Sequence, residues 1–262
     1  MKLYWCREAG YRNFGDALSP KLVEELSCRK VTYAHPSRAQ LVAAGSIIYA
    51  EYLIGYSLRS QLRNLIVPRL RVWGTGFRTD PKVEGRIIRS LDVHAVRGSL
   101  TRDYLWKYGY DVSNCVLGDP GLLYARLVAG LPHKCHKLGI APHYEDQGEG
   151  RRLANAIGAK FIDVMQSDPL NAIREIASCE RILSSSLHGL VVADSLGIPN
   201  HRIRFSTSQE PDFKFQDYYS AYGMTMPLPV TCERFDKWEY AVPQDKIQKA
   251  KDALLAAFPF PK

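Results

Sequence analysis

The stretch Ser184-Ser185-Ser186-Leu187-His188-Gly189-Leu190 sets three hydroxyls beside one imidazole. An apolar run, Arg181-Ile182-Leu183, precedes it and reads as a short strand. Val191-Val192-Ala193-Asp194-Ser195-Leu196 follows and reads as a helix, ended by Gly197 and Pro199. The hydroxyls and the imidazole therefore fall where a buried strand turns into a helix. The first backbone N–H groups of a helix lack internal acceptors and attract anions. A histidine beside such a site can move a proton, so the pattern points to an enzyme that handles an anion.

Other polar residues fall at strand ends in the same way. Asn13-Phe14-Gly15-Asp16 follows the first apolar run, and Asn13 or Asp16 either caps a helix or faces a ligand. Val72-Trp73-Gly74-Thr75-Gly76 is a strand running into a Gly-x-Gly turn. It lacks the third glycine and the acidic residue of a dinucleotide site, so Gly74, Thr75 and Gly76 offer backbone amides at most. Arg97, at the end of Ala95-Val96, has the planar fork that grips a carboxylate or phosphate. Asp119, in Gly118-Asp119-Pro120-Gly121, reads as a base, a sugar-hydroxyl acceptor or a plain turn residue. His143 ends the run Ile140-Ala141-Pro142 and falls in the same half of the chain as His188. Phe213 to Tyr219 mixes aromatics with Lys214, Asp217 and Tyr218, which suits a carbohydrate ring or a packed helix with an ion pair.

The elements that must position these residues alternate along the chain. Strands are expected at residues 2–6, 41–44, 71–73, 93–96, 116–117, 138–141, 160–162, 181–183 and 201–205. Helices are expected at residues 16–26, after Ser99 as cap, near 149–157, at 169–177, after the Ser/His turn and at 244–257. This alternation predicts an α/β fold with largely parallel sheets. Residues 127–137 read as a linker, dividing the chain into residues 1–130 and 131–262. The expected architecture is two Rossmann-like domains facing a cleft, the last helix crossing back to the first. One doubly wound domain with a wide sheet is the alternative.

Composition narrows the classes. The 262 residues carry a net charge of +8, which suits an anionic substrate, an anionic membrane surface or nucleic acid. No dense Lys/Arg run or RNA-binding aromatic motif occurs, which argues against nucleic acid. The apolar stretches are too short to span a bilayer, and no secretion signal is read, so a cytoplasmic location is expected. The six cysteines form no C-x-x-C pair and read as free thiols. His133-Lys134-Cys135-His136 fits no usual zinc spacing, so no metal is expected.

Taken in order, these motifs resemble the bacterial polysaccharide pyruvyltransferases, especially the ketal pyruvyltransferases of xanthan and succinoglycan biosynthesis. The matching segments are Asn13 to Asp16, Trp73 to Gly76, Ala95 to Gly98, Gly118 to Gly121, Pro142-His143, Ser184 to Leu190, Gly197 to Pro199 and Phe213 to Tyr219. The resemblance implies a GT-B-like pair of domains and transfer of the pyruvyl unit of phosphoenolpyruvate to two sugar hydroxyls. The product is a cyclic ketal, phosphate is released, and no cofactor is needed beyond phosphoenolpyruvate as co-substrate. It implies a lipid-linked oligosaccharide or polysaccharide acceptor at the cytoplasmic face of the inner membrane, where the +8 charge suits peripheral contact. The implied donor residues are Arg97 and His188, with Ser184, Ser185, Ser186, Gly74, Thr75 and Gly76 around them. His188 is the expected acid/base, with Asp119 or His143 as base for the acceptor. Asn13, Asp16, Lys214, Asp217 and Tyr218 are the expected acceptor contacts. Some members carry Arg-Leu-His where this chain has Ser186-Leu187-His188; if that arginine binds donor phosphate, its role passes here to another cation, with Lys214, Arg202 and Arg204 as candidates, to the serine hydroxyls or to helix amides. A GT-B glycosyltransferase using a nucleotide sugar is the main rival, and a non-catalytic polysaccharide-binding protein is the second.

Overall fold

The computed structural model describes residues 1–7, 13–48, 69–81, 89–232 and 242–260. Two sheets, each wholly parallel, organise them. The first runs β2 (Thr32–Tyr33), β1 (Lys2–Tyr4), β3 (Leu41–Val42), β4 (Leu70–Trp73), β5 (Leu91–Val96), β6 (Val116–Leu117). The second runs β8 (Lys160–Phe161), β7 (Gly139–Ala141), β9 (Ile182–Ser184), β10 (Asn200–Arg202). Each sheet has its second strand outside its first, so strand order reverses at β1/β3 and again at β7/β9. Such reversal points open a crevice at the carboxyl ends of the strands.

The helices follow from capping and apolar spacing. In α1 (Phe14–Ser27), Leu18, Leu22, Val23 and Leu26 form the buried stripe. The helix begins where Asn13 Oδ1 accepts the Gly15 N–H at 3.2 Å, and it ends at Cys28 in the left-handed region, φ +52°. In α4 (Pro169–Ala177), Pro169 opens the helix, Asp168 caps the Leu170 N–H, and Ala172, Ile173 and Ile176 are buried. All of α5 (Leu187–Ser195) is buried, so it carries no polar face. The remaining helices are α2 (Ser99–Lys107), α3 (Gln147–Ile157), α6 (Phe213–Ser220) and α7 (Gln244–Ala256).

Several expectations move. The helix after the Ser/His turn starts at Leu187, so His188 lies in its first turn rather than before it. Ser99 is not the cap of α2; Gly98 is, and the Ser99 N–H donates to Ser220 Oγ at 2.9 Å. Pro120–Leu127 forms a 3₁₀ helix that was expected to be a turn, capped by Asp119. The short edge strand β2 carries no periodicity long enough to be read.

The largest apolar cluster joins the two sheets, running from Leu3, Phe14 and Trp73 to Ile182, Leu190, Tyr218 and Leu254. Helix α1 follows β1, next to the edge strand of the first sheet, yet the Phe14 N–H donates to Val164 O beyond β8. Helix α7 returns to the first sheet, where the Trp73 indole donates to Leu254 O at 2.9 Å and its ring meets Phe258 edge-on. Among the described residues, no helix is long and apolar enough to cross a membrane. Helices α2 and α6 approach closely at Gly98, where a Cβ would stand 1.6 Å from the Asp217 carbonyl oxygen. Gly98→Ala should push α6 off α2 and cost about 1–3 kcal/mol, read by urea unfolding. A cost near zero would mean that this contact is not close.

Candidate functional site

A cleft with room for about 100 Å³ opens where the carboxyl ends of both sheets meet. Each lining segment follows a strand. Asn13 and Asp16 come after β1, Ser46 and Ile47 after β3, and Arg78 after β4. From the second sheet, His143 and Tyr144 come after β7, Ser186 to His188 after β9, and Glu210 after β10. Lys214, in the first turn of α6, completes the wall. The strands at both reversal points thus contribute, as doubly wound sheets require of a ligand site.

His188 is held by shape. A Cβ at Gly15 would lie 2.0 Å from its Nδ1, so only glycine lets α1 approach the ring. Phe14 meets the imidazole edge-on at 6.3 Å and Tyr124 lies on another side at 6.2 Å. Its Nε2 is buried and has no hydrogen-bond partner among the described residues. The ring also sits in the first turn of α5, whose leading N–H groups have no acceptor within the helix. Ser186, the residue before that turn, caps none of them with its side chain. Burial pushes the His188 pKa down to about 3, and the positive charges of Lys214 and Arg97 add to the shift. The imidazole is therefore neutral in the empty cleft.

Behind the cleft wall, Arg97 ties three segments together. Its Nε donates to Asp217 Oδ2 at 3.0 Å, its Nη1 to Ser46 Oγ at 2.6 Å and its Nη2 to Phe77 O. Asp217 also accepts from the Thr101 N–H at 2.8 Å and the Thr101 hydroxyl at 2.7 Å. Both side chains are fully buried. This ion pair links the end of β5 to α6, one turn from Lys214.

The exposed side of the cleft carries charge. Glu210 accepts from Arg78 Nη2 at 2.8 Å and pairs with Lys214 Nζ. Burial drives the Lys214 pKa well below its ordinary value, with Arg97, Arg78 and Arg202 adding to the shift and Asp16 opposing it. His143 Nε2 lies 3.6 Å from Glu210 and Nδ1 3.4 Å from Glu145. Burial and the charge of Lys214 bring the His143 pKa down to about 3. The ligating atoms of His143, Glu145 and Glu210 lie within 4.8 Å of one another. Glu210 is already engaged by Arg78 and Lys214, and those cations oppose a divalent ion there. The carboxylate of Asp146 accepts hydroxyls from Ser185, Thr207 and Ser208, tethering the loop that carries Glu210 to the His143 segment.

Of the residues singled out by sequence, the structure brings Asn13, Asp16, His143, Ser186, His188 and Lys214 to the cleft. The others lie behind it. Arg97 does not line the cleft, because its donors are engaged as above. Ser184 Oγ donates to Ala141 O and Ser186 O, and Ser185 Oγ to Asp146, so neither hydroxyl is a free phosphate contact. Gly74 and Gly76 allow close packing against Pro120 and Arg97, and Thr75 Oγ1 donates to Gly45 O. Asp119 is fully buried; its Oδ1 accepts the Gly121 N–H, and burial raises its pKa to about 6. Tyr218 donates to Asp194 and, like Asp217, is closed off from the cleft. Of the proposed substitutes for the missing arginine, Arg202 and Arg204 are engaged with Asp212, and Lys214 alone reaches the cleft. Sequence reading missed Ser46, Arg78 and Glu210. Arg78 follows the Gly74–Gly76 turn closely, a signal of the same strand-end kind. No local pattern marks Glu210.

Two outcomes follow for stability. Arg97→Met leaves the Asp217 carboxylate buried without its partner and should cost about 3–5 kcal/mol in urea unfolding; a cost under about 1 kcal/mol would refute the clasp. Unfolding returns His188 to its ordinary value of 6.5. Below that pH the unfolded chain holds a proton that the folded chain refuses. Stability from the neutral ring is thus present above about pH 6.5 and lost as pH falls towards about 3. His188→Gln should gain on the unsubstituted chain by about 1.4 kcal/mol per unit as pH falls from about 6 to about 4. Parallel stability curves would refute the desolvation.

Comparison with known proteins places the chain. The family model described as polysaccharide pyruvyl transferase matches residues 7–206. An uncharacterized protein of Acanthamoeba polyphaga mimivirus is 32% identical over 81% of this chain and 71% of its own length. The succinoglycan biosynthesis protein ExoV of Rhizobium meliloti is 27% identical over 85% of this chain, and the match spans 65% of ExoV. Among solved structures, an uncharacterized protein from Klebsiella pneumoniae aligns over 83% of this chain and 86% of its own, with 14% identity and a TM-score of 0.48. The family match takes in the cleft from Asn13 to His188, while Glu210 and Lys214 lie beyond it. On that match, the chain belongs to the polysaccharide pyruvyl transferase family.

Proposed function

We propose that this chain transfers the pyruvyl unit of phosphoenolpyruvate to two hydroxyls of one sugar in an exopolysaccharide repeat unit. The products are a pyruvate ketal and phosphate. One observation carries the reading: a buried imidazole Nε2, unpartnered among the described residues, at a helix N-terminus in a cleft that also holds Lys214. A neutral imidazole next to cations is a poor base and holds no proton to give until an anion arrives. A phosphate dianion bound at the α5 N-terminus and Lys214 reverses the local field, so His188 takes up a proton.

The imidazolium gives that proton to C3 of the enol ether, and C2 becomes an oxocarbenium centre. A sugar hydroxyl adds to C2 and loses its proton. The C2–O bond to phosphate then breaks, with phosphate leaving with the bonding pair. The second hydroxyl adds to C2, loses its proton and closes the ketal. His143, neutral and beside the cleft, and Asp16 are suited to receive the hydroxyl protons. Asn13 lies on the same side of the cleft and offers its amide to the acceptor. Arg97 acts as a positioning residue in this scheme, through Ser46 and α6.

The two sheets are read as the halves of a GT-B-like arrangement, divided near residue 130, with helix α7 crossing back. The acceptor is read as a lipid-linked oligosaccharide or polysaccharide met at the cytoplasmic face of a membrane, which the net charge of +8 favours. No cofactor takes part; phosphoenolpyruvate is consumed as co-substrate. The test is phosphate release from phosphoenolpyruvate across terminal glucosides, mannosides and galactosides, with NMR of the product. Ketal formation is expected with one of them, and His188→Ala should lower it by at least about 100-fold with an unchanged circular dichroism spectrum. Full turnover by His188→Ala would overturn the role of this residue, and sugar transfer from a nucleotide sugar would overturn the reaction.

A further inference from the structure

Glu210 is an odd neighbour for a site that must take an anion. Its side chain is buried, it lines the cleft, and its two oxygens hold different cations, Oε1 that of Arg78 and Oε2 that of Lys214. Those cations come from opposite sheets, Arg78 from the loop after β4 and Lys214 from α6, beyond β10. In direct contact, two cations share one carboxylate, so the triad keeps one unit of positive charge. Asp16 also lines the cleft and adds to the negative field at Lys214, but Glu210 is the carboxylate in contact with both cations.

We infer that Glu210 is a built-in counter-anion of the phosphate site, holding Arg78 and Lys214 in the empty cleft and yielding them to the phosphate group of the substrate. This rests on the pyruvyl-transfer reading for the identity of the phosphate. The chemistry of the triad favours the exchange. A dianion matches two cations where a carboxylate matches one, and phosphate offers more acceptor oxygens to the guanidinium fork. The displaced carboxylate has a neighbour close by: His143 Nε2 lies 3.6 Å from Oε1, just beyond hydrogen-bond length, and a small shift of the carboxylate brings it within reach of an Nε2–H. The backbone before α6 stays in place, since the Glu210 carbonyl accepts from Arg202 Nη2 at 3.4 Å and Thr207 and Ser208 are tethered to Asp146, so the exchange is a movement of the Glu210 side chain. Without the counter-anion, two cations would face each other across a partly dry cleft, so Glu210 also keeps the halves together between turnovers. The arrangement supplies the positive charge that Ser186 lacks, from residues distant in sequence.

The exchange is read by calorimetric titration of the full chain with inorganic phosphate. Glu210→Gln should bind phosphate about tenfold more tightly than the unsubstituted chain, because the competitor has gone. Lys214→Met and Arg78→Gln should each bind it about tenfold more weakly. Should Glu210→Gln fail to fold, Glu210→Asp retracts the same charge by one methylene and should also tighten binding. Unchanged or weaker phosphate binding by the folded Glu210 variant overturns the proposal, as does an absence of binding by every variant. The readout is phosphate binding rather than ketal formation. A failed transfer assay therefore leaves the exchange standing, and a failed exchange leaves pyruvyl transfer standing.

Discussion

The buried contact between Arg97 and Asp217 is the constraint on which the cleft depends. Arg97 ends a strand of the first sheet; Asp217 lies in α6, which follows the second. Their hydrogen bonds reach Ser46, Phe77 and Thr101 as well. Ser46 lines the cleft, Phe77 precedes Arg78, and Asp217 lies one turn from Lys214. One ion pair therefore sets the positions of groups from both sheets. A buried pair is a poor source of net stability, because desolvation offsets most of the attraction. Its value here is geometric, since neither partner can leave without stranding a charge.

The chemistry of the site comes from a desolvated imidazole. Gly15, Phe14 and Tyr124 crowd His188, and Lys214 and Arg97 place positive charge near it. Each of these makes protonation harder while the cleft is empty. The same cations attract the anion whose arrival makes protonation easy. In the proposed reaction a single field would both bind the donor and time the proton. Asp119 lies behind the ring and holds the 3₁₀ helix that packs against α5, so its part is structural support.

Much of the fold was legible from local pattern. Pro169–Ala177 is the expected helix because Asp168, Pro169 and the Ile173/Ile176 face agree with one another. Strands β4, β5, β7 and β9 fell where short apolar runs end in polar turns. The departures have physical causes. His188 lies inside the helix because Ser186, with extended backbone, is already its N-cap. Gly98, not Ser99, caps α2, and the Asp217 backbone passes too near for any side chain at that position. Strand β2 is two residues long at a sheet edge, too short for any periodicity.

By itself the sequence determined the parallel α/β class, the strand-end placement of its polar residues and the likeness to one family. It also determined that His188 stands where a strand meets a helix. The tertiary structure alone decided which of those polar residues face the cleft. Arg97 and Arg78 both follow strands of the same sheet, and nothing local separates them. Arg97 meets Asp217, 120 residues away, and its donors are engaged; Arg78 meets Glu210 at the cleft rim. A strand end tells where a side chain starts. Whether its hydrogen bonds are already made depends on groups that only folding brings near.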